Sequence, residues 1–288
     1  MSLSPQTIVP GPEPRNFIPP EPAALFAARQ ARLTELAATS PMADWLGFVG
    51  LIAGAQLHTL PRLDGFTHER RAPLDIALLP QLPAWQGALE GLLETLAAAV
   101  DGQALAALRK LAALSADDRS ALAGRVIKGE LGDGDMDQAP LATAALELLA
   151  TAIASRSSAD GFSSLSAACP ACGGAAVASV LETHKLNGLR YLYCGSCNSG
   201  WHHVRAQCSH CNQSGRVAYQ ALEEGGLWQA ETCDDCHSYL KLFNRSKALG
   251  LDPVADDLAS VALDLALGEA GYQRLGANPY LLLAAQTA

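Results

Sequence analysis

Leu141, Ala145, Leu148 and Ala152 recur at intervals of three and four residues, the spacing that lines one face of a helix and predicts a core-facing stripe. The same Ala- and Leu-rich character, poor in β-branched runs, extends from Pro22 to about Arg156 and predicts a helical bundle. Its breaks carry helix-boundary chemistry: Ser40-Pro41 suits an N-cap followed by a first helical residue, and Ser115 with Asp118 resembles a capping box. Near the other end, Asp252-Pro253 predicts a further capped start. Val254, Leu258, Val261 and Leu265 then form the stripe of one amphipathic helix, which places Asp256, Asp257 and Asp264 on its solvated side. Between these helical regions the pattern changes. Val177 to Leu181 and Leu189 to Tyr193 flank Asn187-Gly188, and Val217 to Leu222 and Leu227 to Glu231 flank Gly225-Gly226, so two antiparallel hairpins are predicted.

The expected organisation is α+β. A proline-rich extended arm (1–20), able to order by docking, precedes a mainly helical N-terminal domain (21–164). Two tandem rubredoxin-like or zinc-ribbon modules follow (165–206 and 207–245), then a C-terminal helix and tail (246–288). The small, polar stretch Ser157 to Ala168 has the composition of the linker between the first domain and the cysteines.

All eight cysteines lie in four C-x2-C pairs: Cys169/Cys172, Cys194/Cys197, Cys208/Cys211 and Cys233/Cys236. A shift of 39 residues carries the first four onto the last four, so the segment is a duplicated C-x2-C-x21-C-x2-C unit. Two thiolates separated by two residues converge on one ion from a tight knuckle, and two facing knuckles complete a tetrahedral S4 shell. The hairpins favour pairing within each repeat, giving two sites. Pairing across repeats, structural disulfides and thioredoxin-type dithiol chemistry are the alternatives, the last disfavoured because these pairs adjoin hairpins and glycines. His202, His203, His210 and His237 lie close enough in sequence to replace a thiolate.

The net charge of −9 disfavours nucleic acid and anionic membranes. Around the cysteines, residues 165–245 hold six basic and six acidic side chains, and each S4 shell around a divalent ion adds about two negative charges. The start of the chain lacks the basic and apolar regions of a secretory signal, and the Arg70-Arg71 pair is read as surface charge. The most apolar stretch, Leu141 to Ala154, is shorter than the roughly 20 residues that cross a bilayer, so a cytoplasmic chain without membrane insertion is expected. No phosphate-binding loop, G-x-S-x-G or H-E-x-x-H motif points to an enzyme, and His58, His68 and His184 receive no role.

The blocks YLYCGSCNSGWHHVRAQCSHC (191–211), ETCDDCHSYLK (231–241) and DPVADDLASVALD (252–264) resemble the formate dehydrogenase accessory protein FdhE family. The early FIPPEPAALFAARQARLTELA and the late Asn278-Pro279-Tyr280 extend the resemblance over nearly the whole chain. It implies a non-catalytic, cytoplasmic factor acting on the molybdenum- or tungsten-containing catalytic subunit of respiratory formate dehydrogenase, with the eight cysteines as ligands of two ions, iron or zinc. The WHHVR stretch joins the two sites, and Trp201, His202, Arg205, Asp256 and Asp257 are the candidate partner-binding residues. Two other functions fit the same ligands: a one-electron iron carrier or sensor, and a zinc-ribbon nucleic-acid-binding protein.

Overall fold

A computed structural model describes residues 14–66, 73–157, 167–183, 186 and 188–281. Arg70-Arg71, His68, His184, Asn187 and most of the expected linker lie outside the described residues, as does the arm before residue 14.

Among the described residues six α-helices build the N-terminal part: α1 (Pro22–Ala37), α2 (Ala43–Thr59), α3 (Pro83–Ala97), α4 (Gly102–Ala112), α5 (Ala116–Lys128) and α6 (Ala139–Ala154). Ser115 caps α5 as its sequence indicates, its hydroxyl accepting from the Asp118 amide at 3.1 Å. Ser40 does not start α2. Its hydroxyl accepts from Met42 N in a preceding turn, and the helix begins at Ala43. The single stripe expected on α6 is also too narrow a description, because nearly the whole circumference of this helix is buried. It runs through the centre, with α2, α3 and α5 against it, and its seven alanines among 16 residues let those neighbours approach.

Both predicted hairpins form, and each extends into a three-stranded meander. The first repeat contributes β2 (Ala176–Leu181), β3 (Arg190–Cys194) and β4 (Gly200–His202). The second contributes β5 (Val217–Gln220), β6 (Trp228–Cys233) and β7 (Ser238–Asn244). The repeats are not beads on a string. β2 pairs parallel with β7, Ser179 opposite Leu242, so the meanders merge into one sheet with the order β4-β3-β2-β7-β6-β5. A short strand β1 (Phe17–Ile18) from the proline-rich arm adds to β4, with Phe17 opposite Trp201.

The C-terminal helix of the sequence reading is two helices, α7 (Pro253–Ala259) and α8 (Val261–Glu269), broken at Ser260, whose hydroxyl turns back to the carbonyls of Asp256 and Asp257. Asp252 caps α7 through the amides of Val254 and Ala255. A two-residue strand β8 (Gln273–Arg274) then lies beside β7, in line with β2. Gly276 is required where the chain leaves this strand, because a Cβ there would fall 1.8 Å from the Ala176 carbonyl oxygen. Among the described residues no helix is long and apolar enough to cross a membrane.

Candidate metal centres

Each C-x2-C pair closes in the same local way. The residue after the second cysteine adopts a left-handed conformation, at Gly173, Asn198, Asn212 and His237 (φ 73°, 59°, 60° and 52°). That twist reverses the chain and brings both sulfurs of the pair to one side. Glycine and asparagine are the residues that reach this region most cheaply, so three of the four positions carry the signal in sequence; His237 does not. Backbone bonds brace the turns, including Gly173 N to Cys169 O at 2.7 Å and Cys208 N to Gln213 O at 2.8 Å.

The hairpins bring the knuckles together within repeats, as the spacing suggests. Cys169, Cys172, Cys194 and Cys197 form one group and Cys208, Cys211, Cys233 and Cys236 the other, with the sulfurs of each group within 4.8 Å of one another. Facing sulfurs are 3.6 Å apart for Cys169–Cys197, 3.5 Å for Cys172–Cys194, and 3.7 Å for both Cys208–Cys236 and Cys211–Cys233. A tetrahedral shell with metal–sulfur bonds of about 2.3 Å separates its sulfurs by about 3.8 Å, so both groups can hold an ion with little rearrangement. None of the eight is in a disulfide. Among the described residues no histidine belongs to either group: His203 instead contacts the Arg190 guanidinium through Nδ1, at 3.1 Å.

The thiols of the first group act on one another. Hydrogen bonds from Cys169, Cys172 and Cys197 hold the Cys194 thiol well below its ordinary pKa, while Cys197, bonded to Cys169, is pushed well above it. Binding of a cation by such a set releases thiol protons. In the second group burial opposes ionisation of Cys208, but the amides of Cys211 and His210, helped by neighbouring thiols, bring it down to about 7. Amides point at sulfur in both groups, Ser196 N to Cys194 at 3.3 Å and His210 N to Cys208 at 3.4 Å. In the first group Gly174 leaves room for the shell, since a Cβ there would stand 3.2 Å from the Cys194 sulfur and 3.3 Å from that of Cys172.

The first centre is tied to the helical half by a polar cluster that the periodicity did not indicate. Asn198, next to Cys197, accepts from Arg29 Nη2 at 2.7 Å and donates to Glu147 and Thr151 at 2.9 Å each. Arg29 pairs with Glu147 and Asp252, and Glu147 also accepts from Gln56 and from the Tyr280 hydroxyl. Burial works against the Arg29 charge, but the carboxylates of Asp252 and Glu147 outweigh it and hold the guanidinium above its ordinary value. A lone Glu in the apolar run of α6 was the available clue, since a charge inside a buried helix needs a partner.

The candidate partner residues separate. Asp256 and Asp257 are completely buried, which corrects the solvated face assigned to them. Asp256 takes a bidentate pair from Arg32 and a bond from Trp228 Nε1, and Asp257 pairs with Lys241 and Arg274. These basic partners come from α1, β7 and β8, which a helical-wheel argument on one segment does not see. Trp201 is buried on β4, in register with Phe17 of β1, His202 is half-buried, and Arg205 is exposed.

A helical half joined to a duplicated meander that carries two four-cysteine knuckle sites defines a tandem zinc-ribbon-like protein. The family profiles FdhE N-terminal, FdhE central domain and FdhE C-terminal domain match residues 14–164, 168–205 and 206–281. The chain is 36% identical to Protein FdhE of Escherichia coli K12 over 272 residues, covering 89% of this chain and 88% of that one. The same figures hold for the Protein FdhE homolog of Cronobacter sakazakii. The crystal structure of the FdhE protein from Pseudomonas aeruginosa superposes with a TM-score of 0.82 at 32% identity, covering 95% of this chain and all of that one. The chain belongs to the FdhE family.

Proposed function

We propose that the protein is a cytoplasmic accessory factor that binds the catalytic subunit of a respiratory formate dehydrogenase during its maturation and does not itself oxidise formate. The observation that carries this reading is family membership along the whole chain with all eight thiol ligands gathered into two shells. The outer part of the second meander, where β5 is largely exposed, buries little apolar surface, so bound metal substitutes for core there and makes the sheet a rigid docking platform. Of the residues suggested to meet the client, Arg205 lies on the surface next to exposed Val204 and is assigned to the contact, while His202 is only half-exposed.

The test is co-purification of a tagged chain with the catalytic subunit, together with formate-to-dye activity in a host lacking its own FdhE. Restored activity that is lost in Cys194→Ser/Cys197→Ser supports the reading. Full activity without the chain, or no association with the subunit, removes it. A second reading keeps the same client but adds a redox role. Iron in an S4 shell supplies one-electron chemistry, and the amide bonds to Cys194 and Cys208 are contacts that tune such a centre.

A further inference from the structure

The two centres have the same ligands at the same spacing but opposite surroundings. In the first, all four cysteines are buried and the most exposed, Cys172, is at 8%. Both of its knuckles are fastened from outside: Leu74 N donates to Ala171 O at 2.7 Å, and Asn198 is locked into the Arg29–Glu147 cluster. In the second, Cys208 and Cys233 are buried but Cys211 and Cys236 reach the surface. Their neighbours His210, Asn212, Asp234, Asp235 and His237 are all exposed.

We propose that the second centre is the exchangeable one, through which a zinc-class divalent cation enters and leaves the protein, while the first releases its ion far more slowly. Exchange at an S4 ion proceeds by stepwise substitution: an incoming donor takes one coordination position as one thiolate swings away and takes up a proton. The step needs a sulfur that can move into solvent. Cys211 and Cys236 satisfy that requirement, whereas moving Cys194 or Cys197 would drag a knuckle out of the polar cluster around Glu147.

The rim of the second centre has the chemistry of a relay. Asp234 and Asp235 attract a cation, and the imidazoles of His210 and His237 are donors of the kind zinc accepts. Tyr272 organises this rim, its hydroxyl donating to Asp234 at 2.7 Å and its ring 6.4 Å from that of His237. The proposal concerns the isolated chain and holds whichever client it serves.

The experiment loads the full chain with two equivalents of zinc and challenges it with excess EDTA. One equivalent is expected to leave about 10 to 100-fold faster than the other, the range that second-shell support of a metal site commands. Cys236→Ser should remove the fast equivalent and keep the slow one. Asn198→Gly, which keeps the left-handed turn but deletes the amide side chain, should accelerate the slow equivalent and leave the fast one unchanged. In the unmodified chain, iodoacetamide added after the fast phase and mapped by peptide mass should label Cys208, Cys211, Cys233 and Cys236 first. Release of both equivalents in one phase, or earlier labelling of Cys169 to Cys197, overturns the proposal.

Discussion

Arg29 and Arg62 each face a carboxylate, yet their surroundings make the two pairs unequal. Arg29 is 1% exposed and serves both Glu147 and Asp252, whereas Arg62 is half-exposed opposite Glu94. Arg29→Ala leaves two carboxylates with their main counter-charge gone and is expected to cost about 3–5 kcal/mol in chemical denaturation. Arg62→Ala should change stability by less than about 1 kcal/mol. His203 gives a pH-dependent case. Burial, with Arg190 beside it, pushes the imidazole down to about 4, whereas an unfolded histidine titrates near 6.5. Between those values the unfolded chain holds the extra proton, so stability falls as pH drops from about 6.5 to about 4 and then levels off. The loss is on the order of 3 kcal/mol, and denaturant midpoints measured across that window should show a flatter slope in His203→Gln than in the unmodified chain. Neither effect could be read from the sequence around His203 or Glu147, because each depends on a partner brought in by tertiary contact: Arg190 from β3 and Arg29 from α1.

Where local chemistry decides, the elements match their sequence patterns. The capped starts of α5 and α7 and both hairpins follow from groups within a few residues of one another. Ser115→Ala should therefore cost about 0.5–2 kcal/mol, read as a lower thermal midpoint, through loss of a single cap. Departures occur where an element has more than one neighbour. The α6 stripe becomes an almost fully buried cylinder because α1, α2, α3 and α5 pack around it and Asn198 of the first ribbon bonds to its Glu147 and Thr151. The last helix breaks at Ser260, and its acidic residues turn inward because Arg32, Lys241 and Arg274 are there to receive them. Gly276 belongs to this group. Gly276→Ala forces a methyl group into the Ala176 carbonyl and should cost about 1–3 kcal/mol or more, with cleavage by protease appearing near β8.

At the scale of the whole molecule the two ribbons, the helical half and the C-terminal segment hold one another through the β2–β7 pairing and the clusters around Glu147 and Asp257. Purified without added chelator, the chain is expected to carry two equivalents of divalent metal, iron or zinc, by elemental analysis. Cys197→Ser should lower that count by one and also increase proteolysis of the helical half, because Asn198 leaves its cluster when the knuckle opens. The sequence by itself determined the class of elements and the duplicated ligand set, and favoured its within-repeat pairing. Those properties rest on short-range spacing: a helical period, a hairpin turn, two thiols on one knuckle. Only the tertiary structure decided that two repeats share one sheet, that one metal centre is sealed and the other open, and that acids on a terminal helix serve the core. Each of those outcomes depends on surfaces meeting across tens to hundreds of residues of chain or on which face of a repeat finds a neighbour, and no local pattern encodes either.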